Sequence, residues 1–191
     1  LQGAKVTIQC PKCDISDADA CAALVAELGS SLKGVFHSAG VVEDQLIHEL
    51  EWAKVERVLA PKLHGGWNLH AATVAAGCSL DSFVLYGSGT GVLGNVGQAH
   101  YAAANAWLDG LALYRQGLGL PALSIDWGPW GKVGMASRMD PSTLALVPEK
   151  AMIMPDEGMQ LLQTMLSAPH RAQLLTASNT FLATLAPDAP I

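Results

Sequence analysis

A serine, a tyrosine, an asparagine and a lysine stand in this chain where they can act on one carbonyl group. The segment LYGSGTGVLGNVGQAHYAAANAW puts Ser88 at the end of a strand-like apolar run and Tyr101 thirteen residues later, inside a helix-like stretch. Asn105 follows Tyr101 by four residues, so the two side chains share one helix face. Lys62 lies earlier, in VLAPKLHGGWNLH, on a helix between two strands. These types suit carbonyl reduction: a phenol gives up a proton, a hydroxyl polarises the C=O, and a nearby ammonium lowers the phenol's pKa.

The elements that must bring them together are legible as an alternation. Strand-like runs cover residues 4–9, 34–37, 82–86 and 122–126, and helix-like runs cover 17–28, 49–76 and 98–116. This rhythm predicts a parallel sheet covered on both faces. In such a sheet the ligand sits beyond the carboxyl ends of the strands, which is where Ser88 falls. Residues 128–155, rich in Gly, Pro and Met, read as a lid, followed by an amphipathic helix with Met159, Leu162, Met165 and Leu166 and a last strand over 173–176. Met135, Met139, Met152 and Met154 are expected either to line the substrate entrance or to pack as ordinary core. Residues 1–185 read as one catalytic domain and 186–191, with two prolines, as a linker.

Composition excludes several functions. Half of the 191 residues are apolar, 11 Lys and Arg face 17 Asp and Glu for a formal charge of -6, and no basic run is interleaved with aromatics. Nucleic acid is therefore not an expected partner. The apolar stretches fall short of the roughly 20 residues a membrane helix needs, and the first residues do not read as a signal peptide, so a cytoplasmic location is expected. Cys10 and Cys13 form a CxxC without a second ligand pair and read as reduced thiols. The six histidines lack ligand spacing, so no metal is expected.

With CDISD (13–17), FHSAG (36–40), QAHYAAANAWLDGLA (98–112) and SIDWGPW (124–130), the chain resembles the short-chain dehydrogenase/reductase superfamily and, within it, ketoreductase domains of modular type I polyketide synthases. Most of that superfamily carries its lysine four residues after the tyrosine; these ketoreductases have asparagine there and take the lysine from the preceding helix, as Asn105 and Lys62 do here. The resemblance implies an α/β, Rossmann-like doubly wound parallel sheet, incomplete because its first two strands are missing. It implies NADPH as cofactor and reduction of a 3-ketoacyl thioester, carried by the phosphopantetheine of an acyl carrier protein, to the 3-hydroxyacyl thioester. Lys62, Ser88, Tyr101 and Asn105 are then catalytic. On the cofactor side it sets His37, Ala39 and Gly40 by the ribose and Gly128 and Pro129 by the nicotinamide, unless these two form a plain turn. Asp14 would accept from the adenine amino group or else cap the next helix. The carrier would find a basic spot at Lys132 and Arg138.

A complete domain of this kind opens with a strand and a Gly-rich turn that seats the pyrophosphate on a helix N-terminus; no such turn stands in the first part of this chain, where the GxGxxG spacing occurs only later, at 89–94 in the segment of Ser88. A complementary N-terminal ketoreductase segment is thus expected as a partner: without it residues 4–9 have no sheet neighbour, strand 34–37 has an open edge, and the chain alone should hold NADPH poorly and be inactive. Stereochemistry reads from AGVVEDQLI: relatives that leave a D-hydroxyl resemble one another in a Leu-Asp-Asp motif there, whereas those giving the L-alcohol carry a Trp eight residues before the tyrosine. Asp44 keeps the last aspartate and Leu93 stands in the Trp position, so a D-hydroxy product is expected, with Asp44, Leu93 and Met135 facing the substrate. The alternatives are a non-catalytic piece of a synthase, a fatty-acid-synthase ketoreductase, and a dehydrogenase acting on a sugar or steroid, against which Asn105 argues.

Overall fold

The structure, a computed structural model, describes residues 6–135, 149–167 and 171–178. Helix α1 (Ala18–Leu28) starts at Asp17, whose carboxylate accepts from the Asp19 and Ala20 N–H groups at 2.9 and 3.0 Å, and stops at Gly29, whose φ of 54° favours glycine. Strand β1 (Gly34–His37) leads to α2 (Trp52–Leu59), a π-helical turn (Ala60–His64) and α3 (Gly65–Ala75) in one continuous run. Then come β2 (Ser82–Ser88), the single turn α4 (Thr90–Leu93), α5 (Ala99–Gly117), β3 (Leu123–Trp127), α6 (Pro155–Ser167) and β4 (Gln173–Thr176).

All strand pairs are parallel and the order is β1-β2-β3-β4, so each crossover between neighbours carries a helix. Alternate residues of the strands feed two cores. Val35, Phe83 and Leu85 meet Cys21 and Val25 of α1, Leu69 of α3 and Leu108 and Leu111 of α5. Val84, Ile125 and Trp127 point the other way, onto Ile153 and Leu162. Each fully buried aliphatic or aromatic side chain contributes about 1.5–3 kcal/mol, enough for these two layers to hold the sheet between them. The doubly wound parallel sheet expected from the alternation is present.

Two expectations need correcting. Residues 6–9 of the run read as a first strand are exposed and form no strand, while the expected lack of a sheet neighbour holds: β1 is the sheet's edge among the described residues. Nor is the long helix uniformly α: Pro61 lacks the N–H an α-turn requires, and the backbone opens there into the wider π turn. Lys62 sits on that turn. The expected linker, 186–191, lies outside the described residues, as do Met139 and Arg138 of the expected lid and carrier contact.

Candidate active site

The π turn drives Lys62 under the carboxyl ends of β1 and β2, where it is 2% exposed. Its Nζ donates to the Tyr86 carbonyl at 2.7 Å and stands 5.9 Å from the centroid of the Tyr101 ring. Burial pulls the Lys62 pKa down to about 8, while Asp126 and Asp109 act the other way. Gly40, just past β1, closes over this side chain: a Cβ there would lie 3.1 Å from the Lys62 Cε and 3.8 Å from the Met135 Cε. His37 is also buried, with Nε2 unpartnered. Burial first and the Lys62 charge second push its pKa down to about 4, against a hydrogen bond that the ring donates to the Pro61 carbonyl, so the ring is neutral near pH 7. Ala39 is exposed beside it.

Tyr101 and Asn105 are one turn apart on α5, both buried. The Asn105 Nδ2 donates to the Tyr101 carbonyl at 2.6 Å, leaving Oδ1 buried without a partner. Burial raises the phenol's pKa, hydrogen bonds with Asn105 and Ser88 pull it down, and the charge of Asp44 raises it again. Burial is the largest of these effects and the net shift is upward, so the phenol keeps its proton at neutral pH. Ser88 ends β2, its Oγ accepting from the Thr90 N–H at 3.3 Å. Lys62, Ser88, Tyr101 and Asn105 are thus brought together, as is Met135 at Gly40.

The loop carrying Asp44 is strapped to the start of α5. Gln98 donates through Nε2 to the Asp44 Oδ1 at 2.9 Å, the Gln45 N–H donates to the Gly97 carbonyl at 2.8 Å, and the His100 Nε2 lies 2.6 Å from the Glu43 carbonyl. Arg57 of α2 adds two hydrogen bonds to the Glu43 carboxylate, at 2.9 and 2.8 Å. Leu93, on α4, is half-exposed.

Other expected positions fall elsewhere. Asp14 does not cap α1; Asp17 does, because Asp14 is already folded into a turn with Ser16, accepting from its N–H at 2.9 Å and its Oγ at 2.7 Å. That hydrogen bonding holds the Asp14 carboxyl below its ordinary pKa. Gly128 donates its N–H to the Thr176 carbonyl at 2.7 Å and Pro129 accepts from the Ile153 N–H at 2.8 Å, so this corner is closed against β4 and the returning chain. Met152 and Met154 pack at Gly131. Lys132 is exposed at φ 64°.

Three polar residues around the site were missed. Gln98 holds Asp44, and Asp109 and Asp126 lie buried within reach of the Lys62 charge. Asp109 was findable: it is four residues past Asn105, on the same inward stripe of α5. Asp126 is an acid inside an otherwise uncharged strand, a signal of the same kind. Among the described residues no group of histidines, cysteines or acids could hold a metal, and no helix is long and apolar enough to cross a membrane.

Residues 1–132 match the family model described as the KR domain. The chain belongs to the KR domain family. It is a ketoreductase domain of the polyketide-synthase kind within the short-chain dehydrogenase/reductase superfamily, with that superfamily's Rossmann-like fold, and such domains bind nicotinamide cofactors. It is 40% identical over 172 residues to polyketide synthase GfsE of Streptomyces halstedii, covering 87% of this chain and 4% of that one. To GfsB of the same organism it is 47% identical over 138 residues, 71% of this chain and 2% of that one. Among solved structures, one titled as A-type ketoreductases from a modular polyketide synthase is 37% identical with a TM-score of 0.81, covering 95% of this chain and 39% of that one. The chain thus spans only a small part of the curated relatives and well under half of that structure.

Proposed function

We propose that this ketoreductase chain carries the catalytic residues for NADPH-dependent reduction of a 3-ketoacyl thioester, presented on an acyl carrier protein, to the 3-hydroxyacyl thioester in polyketide assembly, leaving the D-hydroxyl. The observation that carries this reading is the meeting of Ser88, Tyr101, Asn105 and Lys62 at the carboxyl ends of β1 and β2. The residues fit the nicotinamide end of such a cofactor: the Asn105 Oδ1 is a buried acceptor awaiting a donor, and Gly40 leaves room over Lys62 that a side chain would fill.

When bound, the cofactor supplies a hydride. The chain's own residues do the rest. Tyr101, protonated at neutral pH, donates its phenolic proton to the carbonyl oxygen, and the Ser88 hydroxyl donates a hydrogen bond to the same oxygen. Lys62, whose pKa of about 8 leaves it largely charged near pH 7, places an ammonium 5.9 Å from the Tyr101 ring and offsets the phenolate's developing charge. Asn105 fixes the Tyr101 turn through its 2.6 Å hydrogen bond. Asp44, held by Gln98, borders the side from which the acyl arm enters.

The test follows NADPH consumption with a 3-ketoacyl thioester, using the synthase domain that contains this chain, with chiral chromatography of the product. Reduction that depends on Tyr101 supports the reading; absence of any NADPH oxidation overturns it, and a predominantly L alcohol overturns the stereochemical part.

A further inference from the structure

A buried charge arrangement lies behind the site and is used by none of the roles above. The Lys62 ammonium is 2% exposed, and among the described residues no carboxylate forms a close ion pair with it. A buried, uncompensated ammonium is costly enough that it normally loses its proton or acquires a counter-charge. Two carboxylates are buried on the same side of the sheet: Asp109 of α5 at 8% exposure and Asp126 of β3 at 0%. Both are held by neutral donors, Asp109 by the Ser124 Oγ at 2.6 Å and Asp126 by the Gln173 Nε2 at 2.8 Å. Asp126 pairs in register with Gly87, and a Cβ at 87 would come within 2.5 Å of its Oδ1. Gly87 in turn stands between Tyr86, whose carbonyl anchors Lys62, and Ser88.

We propose that Asp126, seconded by Asp109, is the counter-anion of Lys62: a positioning pair that keeps the ammonium charged on the Tyr86 carbonyl within a dry core, with glycine at 87 admitting the carboxylate. The proposal deepens the reductase reading and rests on it for its consequence in turnover. The groups facing Lys62 from the other elements fit. His37 of β1, at about 4, and Tyr101 of α5, raised by burial, are both neutral near pH 7, and Asp44 acts on Tyr101. Asp126 and Asp109 each hold the Lys62 charge up, Asp126 more, and Lys62 reciprocally lowers both, although burial raises each of them, Asp126 to about 6.

The test is a direct titration of Lys62 by NMR of the chain with 13C-labelled lysine, which needs neither cofactor nor turnover. Asp126→Asn, which can still accept from Gln173, should lower the Lys62 midpoint by about one pH unit. Asp109→Asn should lower it by less, and Asp17→Asn, at an exposed cap, should leave it in place. Asp109→Asn also serves if the β3 variant fails to fold, since Asp109 lies on α5 and not in the sheet. A Lys62 midpoint unmoved by Asp109→Asn, or by Asp126→Asn where that variant folds, overturns the proposal. In the full synthase domain the alkaline limb of kcat should move to lower pH in the same order. A midpoint that moves while the limb stays put supports the counter-anion and overturns instead the role given to Lys62 in reduction.

Discussion

Replacing Lys62 by Met should raise stability while abolishing chemistry, and the gain should fade with alkaline pH. The lysine has a pKa of 10.5 when free and about 8 in the folded chain. Between those values the unfolded state binds more protons than the folded one, so the wild type gains stability as pH rises and carries its full burial penalty below the folded value. That difference corresponds to a penalty of about 3 kcal/mol near pH 8, relieved by roughly 2 kcal/mol on reaching about pH 10. Methionine has nearly the same length and no charge to desolvate, but it strands the Tyr86 carbonyl, which costs about 1 kcal/mol at any pH. The net expectation is a variant more stable by about 1–2 kcal/mol at pH 8 and no more stable than the wild type at pH 10. Urea unfolding of both proteins at the two pH values, with unchanged slopes, measures it. Cys21, Tyr86 and Tyr101 are all held above their ordinary values by burial, in the variant as in the wild type. A gap that is independent of pH would mean that Lys62 acts through packing alone and would refute the argument.

Tyr101→Phe removes the proton donor and should cost at least about 10²-fold in turnover with folding intact, as read by NADPH consumption and circular dichroism. His37, free at 6.5 and folded at about 4, binds fewer protons in the folded state, so stability should be lost as pH falls from about 6.5 towards 4; His37→Leu should flatten that part of the urea-midpoint profile. Gly40→Ala puts a carbon 3.1 Å from the Lys62 Cε and should lower turnover about tenfold without unfolding the chain, since a small displacement of a catalytic group is enough for that. Asp44→Ala should erode the enantiomeric excess of the hydroxy product measured by chiral chromatography, and Gln98→Ala, which frees Asp44, should do so in part.

What could be read from sequence and what could not divide along physical lines. The alternation of strands and helices and the shared face of Tyr101 and Asn105 follow from periodicity, which is local. The depth of Lys62 does not, because it depends on the π turn that Pro61 forces into an otherwise helical run, and helical periodicity says nothing about a single widened turn. Residues 4–9 show the converse. Their alternation satisfies a strand's own requirements, but a strand also needs a neighbour, and at positions 6–9 none is found. The clamp of Gln98 and His100 on the 43–45 loop joins residues more than fifty positions apart, and nothing in either segment announces the other.

A perturbed titratable group does not by itself mark the site, and Arg115 shows why. It is as buried as Lys62, and its pKa is likewise lowered by burial, to about 10. Yet its Nε donates to the Pro121 carbonyl at 3.1 Å, its Nη1 meets the His70 Nδ1 at 2.9 Å, and its guanidinium lies 3.7 Å over the Phe83 ring, so that these two nitrogens and its face are occupied by the fold. It also stands at the C-terminal end of α5, by the chain entering β3, away from the carboxyl ends of the strands. Lys62 is held by one carbonyl, with its counter-charges at a distance and with unpartnered polar atoms on Asn105 and His37 close by. Burial with hydrogen bonds and a ring contact made to the fold secures a helix end; burial with acceptors left open, at the edge where the strands deliver their side chains, leaves something for a substrate or cofactor to complete.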